Sequence, residues 1–441
     1  MPRVTQAAYV FIPGKNWKLS LAELISFLEA RDVTFEVRQL SKEFFVVGFA
    51  DSTSALAIAD YGGILKIGSA VAVFATQTIA EAFLQGNKQA REQMRRELAA
   101  SSVIAEMLET PAAKTVFGVS VYCGEDSLRP VSHFIQRFVG STLKRELAVN
   151  GRKSGFMGFS RARAQPQLSP VEVLKKAFVG NKAETLFCLG KKQTVAAITV
   201  AVHNPFEFQK RDVGKPCQRK IFAISPRLAK IMVNLSSCTS GKLLLDPFCG
   251  VGTILQEALL AGAKVVGVDI NPWCAKAALT NLEWLKKEYA LKEAGYTVLQ
   301  GDARRLTGKL EGNVDCIATE PDLGPALRQV PTAPYAEKIV AKLEPLYDSF
   351  LKEAYGLLKE GGRLVLVAPY MRTRSGKPVV MPVGDKALRL GFRRVYLFQE
   401  DVFAKDVNVK EDMAKMASFV DADERHKVGR EIHVFQKQKK N

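Results

Sequence analysis

The residues best placed to do chemistry are carboxylates at the ends of short apolar runs. Asp246 closes Leu243-Leu-Leu-Asp and leads into Pro-Phe-Cys-Gly-Val-Gly-Thr253, Asp269 closes Lys264-Val-Val-Gly-Val-Asp, and Asp302 stands in Gln300-Gly-Asp-Ala-Arg304. Gly250 and Gly252 let the backbone turn tightly and approach a ligand before a helix that starts at Thr253. A dinucleotide fingerprint requires a third glycine three residues after the second, and Leu255 occupies that position. Pyrophosphate is therefore not the expected ligand. Asp269 can accept both hydroxyls of a ribose, and Asp302 can accept from an adenine amine. Three acids at the carboxyl edge of successive strands suit an adenosine without phosphates, as in S-adenosylmethionine, with Asp246 toward its cationic end. A purely structural glycine turn is the alternative.

A fourth apolar run, Val314 to Ala318, breaks into Thr319-Glu-Pro-Asp-Leu-Gly324 and sets Glu320 and Asp322 on either side of Pro321. Such a pair can hold an amine and take its proton. Pro, Gly and Asp also make ordinary turns, and Asp322 as a turn cap is the competing reading.

These corners need a parallel sheet to align them. After Ser237 the sequence alternates strand and helix, with strands expected at Lys242–Leu245, Lys264–Val268, Thr297–Leu299, Val314–Ala318 and Arg363–Val367. Helices are expected around Leu255–Leu260, Trp273–Lys287 and Leu343–Leu358, and Arg394–Phe398 with Ile432–Phe435 read as a hairpin closing one edge. Upstream, the first fifty residues read as a β-α-β-β unit whose helix is capped by Ser20, followed by further α+β pattern to Val202. His203 to Lys220 is polar and basic with two prolines, the composition of a solvated connection. Its Phe206, Phe208, Lys210, Arg211 and Lys215 also suit stacking on RNA and contact with its phosphates. Ser225 and Pro226 then cap and open a helix.

Composition sets the class. The chain has 441 residues, too many for one core, and 63 Lys and Arg against 45 Asp and Glu give a net charge of +18. A polyanionic partner, nucleic acid before lipid, is expected. No run is long and apolar enough to span a membrane, and no secretory leader pattern opens the chain, which predicts a cytoplasmic protein. Seven cysteines, without a Cys-x-x-Cys pair, read as reduced thiols rather than a disulfide framework or zinc site, so no metal is expected. Cys249 and Cys316 read as small apolar fillers rather than nucleophiles for methylation at a pyrimidine carbon.

Asp246-Pro-Phe-Cys-Gly-Val-Gly-Thr-Ile-Leu-Gln-Glu-Ala258, Val266-Gly-Val-Asp-Ile270 and Asn281-Leu-Glu-Trp284 resemble the cofactor motifs of the THUMP-containing tRNA guanine-N2 methyltransferases that modify position 10. Lys18-Leu-Ser-Leu-Ala-Glu23, Tyr61-Gly-Gly-Ile-Leu-Lys-Ile67, Phe206-Glu-Phe-Gln-Lys-Arg-Asp-Val-Gly-Lys-Pro216 and Ser225-Pro-Arg-Leu-Ala-Lys-Ile-Met232 resemble that family's upstream segments in the same order. The resemblance implies an α/β chain: a Rossmann-like class I methyltransferase domain with a mostly parallel seven-stranded sheet, preceded by α+β N-terminal and THUMP-like domains. The implied boundaries are 1–53 (ferredoxin-like), 54–203 (THUMP-like, RNA-binding), 204–236 (basic linker and helix) and 237–441 (methyltransferase). It implies S-adenosylmethionine held by Asp246, Phe248, Gly250, Gly252, Thr253, Asp269, Ile270, Asp302 and Ala303, with Glu320, Pro321 and Asp322 as catalytic residues. It also implies a tRNA substrate, and leaves open a small protein activator. The family carries Asp-Pro-Pro-Tyr where this chain has Glu320-Pro-Asp-Leu323, so the stacking aromatic must come from elsewhere, with Phe248, Tyr335 and Tyr370 as candidates. A noncatalytic RNA-binding protein on a degenerate methyltransferase fold, methylation of another RNA base, and a DNA substrate remain the alternatives.

Overall fold

Alternating apolar residues and glycine-marked turns divide the chain into two sheets. The computed structural model describes residues 7–50, 57–111, 114–159, 164–219, 223–310, 312–423 and 427–439. The expected boundary at 53/54 and Lys220 lie outside the described residues. The first sheet holds β1 (Ala8–Pro13), β2 (Phe35–Leu40), β3 (Phe45–Phe49), β4 (Ile64–Ala75), β5 (Lys114–Cys123), β6 (Lys153–Met157), β7 (Glu184–Leu189) and β8 (Gln193–Val202). These run in the continuous order β2-β3-β1-β4-β8-β7-β5-β6, so the first fifty residues and the α+β region after them share one sheet.

The first helix, α1 (Trp17–Glu29), is capped by Asn16 and not by Ser20. Ser20 lies one turn inside it, where its hydroxyl donates to the Gly63 carbonyl. The helices α2 (Thr76–Phe83), α3 (Lys88–Ala99), α4 (Ser102–Leu108), α5 (Ser132–Val149) and α6 (Pro170–Lys175) belong to the first sheet's region.

The second sheet holds β9 (Leu243–Asp246), β10 (Lys264–Asp269), β11 (Tyr296–Gln300), β12 (Val314–Thr319), β13 (Leu358–Met371), β14 (Val379–Val380), β15 (Phe392–Arg394), β16 (Ser418–Asp421) and β17 (Val428–Lys437). Seven of these form the path β11-β10-β9-β12-β13-β17-β15, with β14 and β16 attached at the side. From β11 to β13 every pairing is parallel. Strand β17 runs antiparallel between β13 and β15 and so closes the edge, but its partner is Phe392–Arg394 and not the expected Arg394–Phe398. Strand order reverses between β9 and β12, the place where open α/β sheets form a crevice.

Between the sheets, α7 (Pro205–Val213) and α8 (Pro226–Leu235) connect the halves, and α9 (Thr253–Leu260), α10 (Pro272–Glu288) and α11 (Ala333–Leu357) flank the second sheet. Helix α8 is capped by Ser225 with Pro226 in its first turn. The two halves share a core: Phe11, Leu21 and Phe45 pack in one buried cluster with Ile231, Leu244, Val265 and Val434. Burying apolar area at ~25 cal/mol per Å² makes that shared cluster the main term holding the halves in register.

The segment His203–Arg219 departs from its composition. Its Asn204 caps α7, and Arg211 and Lys215 are buried in spite of their charge. The reason is a carboxylate on the other side: Glu257 of α9 accepts from Arg211 Nε at 2.6 Å and pairs with Lys230 at 3.1 Å. Phe208 is buried against His203, and Lys210 pairs with Glu288. Of the residues expected to be free for RNA there, Phe206 and Lys210 are exposed, while Phe208, Arg211 and Lys215 are buried.

Candidate cofactor and active-site cleft

Each functional corner is the carboxyl end of a parallel strand, so the sheet itself gathers them. A cleft of ≈ 470 Å³ opens there, lined in part by Phe248, Asp269, Ile270, Asp302, Ala303, Glu320, Pro321 and Asp322. Asp246 lies beneath this surface, fully buried. Its Oδ1 accepts from the Thr319 hydroxyl at 2.7 Å and the Phe248 N–H at 3.2 Å. Burial pushes its carboxyl up to about 7, and the nearby Asp269 and Glu320 charges add to that. Among the described residues no cation is hydrogen-bonded to it. A buried carboxylate without a counter-ion suits a cationic ligand.

Gly250 and Gly252 both take left-handed backbone, with φ of 52° and 86°. A Cβ on Gly250 would meet nothing within 4 Å, whereas one on Gly252 would press on Ala278 at 3.2 Å. The first glycine therefore leaves room at the turn, and the second brings α9 against α10. The close packing expected from a third glycine comes from β10 instead, since a Cβ on Gly267 would strike Leu255 at 2.4 Å.

Asp269 fixes this turn: one oxygen accepts from the Gly250 N–H at 2.9 Å and the other from the Asn271 N–H at 2.8 Å. Each oxygen retains a further lone pair toward the cleft. Asp302 is engaged by Arg304, whose Nε lies 3.0 Å from both oxygens, and this pairing holds its carboxyl below the usual carboxylate range. An amine reaching Asp302 must share it with that guanidinium. Thr253 is not at the cleft surface; it is buried, with Lys215 Nζ donating to its hydroxyl at 3.0 Å.

The Glu-Pro-Asp corner has a partner that sequence reading missed. Arg430 of β17 grips Glu320 with both arms of its guanidinium, Nε to Oε2 at 2.5 Å and an Nη to Oε1 at 3.1 Å. Nothing in the sequence spacing links positions 110 residues apart; the antiparallel insertion of β17 beside β13 brings them together. Asp322 turns one oxygen to the Gly324 N–H at 2.9 Å, and its carbonyl accepts from the Tyr347 hydroxyl at 3.1 Å. It is thus a turn cap in this structure, and its other oxygen has no hydrogen-bond partner among the described residues. Gly324 has φ 97°, a conformation that disfavours any side chain there.

Among the candidate stacking rings, Phe248 lines the cleft and is braced edge-on by Phe350. Tyr335 lines a neighbouring cavity instead, and Tyr370 pairs with Val380 at the β13–β14 edge. Arg219, Asn271, Cys274, Arg304 and Leu346 also line the cleft and were not singled out from sequence. Asn271 was recoverable, because Asn before Pro272 at a helix start is a cap signal. Burial raises the Cys274 thiol and raises Cys249 well above the usual range, which fits filler rather than nucleophile.

The connection between the halves is bonded to the glycine turn. Asn281 of α10 receives the Cys217 N–H at 2.8 Å and donates to the Cys217 and Val251 carbonyls at 2.9 and 2.8 Å. Its conspicuous place in the sequence is explained by this clamp.

With this geometry in view, residues 216–374 match the family model of the RMKL-like methyltransferase domain. Those residues, about a third of the chain, are similar to a methyltransferase domain. Over 160 residues the chain is 38% identical to the tRNA (guanine(10)-N2)-dimethyltransferase of Methanothermobacter thermautotrophicus, covering 36% of this chain and 43% of that one. It is 32% identical over 191 residues to the enzyme of the same name from Pyrococcus abyssi, covering 43% and 51%. The matched segments thus span about half or less of these relatives. The crystal structure of TrmN from Thermus thermophilus aligns over 98% of this chain and 99% of its own, at 17% identity and a TM-score of 0.49. The second sheet has the mostly parallel, doubly wound α/β form expected from its strand alternation. Among the described residues no helix is long and apolar enough to cross a membrane.

Proposed function

We propose that this chain is an S-adenosylmethionine-dependent RNA methyltransferase acting on the exocyclic N2 amine of a guanine in tRNA. The observation that carries it is the meeting of Asp269, Asp302 and the Glu320-Pro-Asp322 corner in one cleft, above a buried Asp246 that has no cation partner among the described residues. The open Gly250 turn, the exposed Ile270 and the acidic floor fit the cofactor, which supplies a methyl group on a cationic sulfur. Asp246, Phe248, Gly250, Gly252, Asp269, Ile270, Asp302 and Ala303 would hold it, with Thr253 acting through the helix it opens.

The protein's own part is to place an amine. Glu320 accepts a hydrogen bond from it, and the Arg430 fork fixes the longer glutamate in one orientation, which compensates for the extra methylene relative to aspartate. Among the described residues no protein donor is bonded to the Pro321 carbonyl, which leaves a second acceptor for the same amine. The free oxygen of Asp322 is placed to receive the amine proton. A base in folded RNA must be extruded to reach this corner, at a cost of a few kcal/mol. The basic first half, with the THUMP-like segment proposed at 54–203, offsets that cost by binding phosphates. The relatives' names support the tRNA guanine reading, and the chain's resemblance upstream supports the THUMP-like assignment.

The test is methyl transfer from labelled cofactor to unmodified tRNA transcripts, followed by mass spectrometry of the nucleosides. N2-methylated guanosine is the expected product. Cofactor binding absent at millimolar concentration, with RNA binding retained, would establish the noncatalytic reading instead.

A further inference from the structure

The loop leaving the Glu-Pro-Asp corner builds a second cavity of ≈ 490 Å³, lined by residues 326–332, Tyr335 and Arg374. It is a formed site. Arg374, on the β13–β14 hairpin, donates its backbone N–H to the Pro331 carbonyl at 3.0 Å and its Nε to the Val330 carbonyl at 3.0 Å, pinning the loop to the hairpin. Neither segment supplies a counter-charge: Leu323–Ala336 and Leu364–Gly384 contain Arg328, Arg372, Arg374 and Lys377 but no Asp or Glu. The Arg328 and Arg372 side chains have no hydrogen bond or ion pair among the described residues. The Tyr335 ring is 52% exposed in the first turn of α11.

A guanidinium without a partner among the described residues, Arg328, on a concave wall with the half-exposed Tyr335, matches a phosphodiester and its base. The position selects which one. Leu323 lines the cofactor cleft and Ala326, three residues on, lines this cavity, so one loop runs from the first to the second. An extruded nucleotide stays covalently joined to its neighbours, and this loop lies beside the corner it would occupy. We propose that this cavity takes the nucleotide adjoining the target in the RNA strand, with Arg328 on the phosphate and Tyr335 stacked on the base. This rests on the cleft's reading as an RNA-methylating site.

Two measurements on the full chain test it. Transcripts of tRNA carrying 4-thiouridine at successive positions are cross-linked to the protein and the peptides mapped. Attachment within residues 326–335 is expected; attachment confined to the first half of the chain overturns the proposal. In steady-state methylation, Arg328→Ala combined with Tyr335→Ala should raise the RNA KM about tenfold, in line with 1–3 kcal/mol per stacked base. Cofactor affinity should not change, and Arg328→Lys should keep most of the RNA affinity. An unchanged RNA KM in the double variant, or equal loss in Arg328→Lys and Arg328→Ala, overturns it. Failure of the wild-type protein to methylate any transcript would defeat the cleft's reading alone, since the cross-link map does not depend on turnover.

Discussion

The ion pair of Glu320 with Arg430 distinguishes this chain's corner from an Asp-Pro-Pro-Tyr sequence, and on the proposed function it orients the residue that holds the amine. Arg430→Met removes the fork and frees the glutamate, so single-turnover methyl transfer should slow roughly 100-fold, the scale of a 1 Å misplacement, with cofactor affinity preserved. Asp322→Asn separates its two roles: an amide oxygen still caps Gly324, so a near-normal rate would mark the residue as a turn former and a steep loss as a proton acceptor. Asp246 gives a pH signature. Its carboxyl is raised from 3.8 to about 7, so it is largely protonated in the free protein below neutrality. A cationic cofactor needs it charged, and binding must therefore weaken as pH falls below about 7 and level off above it. Calorimetric titration from pH 5.5 to 8 (chosen to span that value) should show this slope in the wild type and a flat line in Asp246→Asn.

Elements here are locked by buried polar groups. Glu257 of α9 holds Arg211 and Lys230, and replacing Glu257 with Gln would leave two buried cations without their charge partner. Destabilisation of about 3–5 kcal/mol is expected, read from urea unfolding. Glu23 of α1 accepts from the Gly62 and Gly63 N–H groups at 2.7 Å each and from Asn234 of α8 at 2.9 Å, joining first-half turn and connecting helix. Burial raises its carboxyl from 4.5 to about 7 in spite of these bonds. Because the folded value is the higher one, its contribution to stability is full below 4.5 and is lost as pH rises through 7. Glu23→Gln does not titrate, so its melting temperature should gain on the wild type across that interval. A difference independent of pH would show that Glu23 is charged in the fold.

At the scale of the molecule, a net charge of +18 stands beside a cleft lined by Asp269, Asp302, Glu320 and Asp322. Affinity for tRNA should fall linearly in log–log against salt with a slope near −0.7 to −0.9 per phosphate contacted, while cofactor affinity barely responds. Filter binding from 50 to 300 mM salt, a range of about a Debye length's halving, measures both. Strand–helix alternation after Ser237 and the acids at strand ends were legible locally, because period-two and period-3.6 patterns and turn glycines act over a few residues. That is why Asp246, Asp269, Asp302 and the Glu320 corner could be placed in one crevice from sequence. The linker was misread for the opposite reason: its charges look solvated until Glu257, some forty residues on, is brought against them. Asn16 is the cap and Ser20 is not because the helix starts at Trp17, which leaves the Ser20 hydroxyl inside it to donate to the Asn16 and Gly63 carbonyls. The sequence by itself determined the chemistry available and the strands that carry it. Only tertiary structure decided that Arg430 holds Glu320 and that Lys215 takes Thr253 from the cleft, since those pairings depend on strand order and burial, which no local pattern encodes.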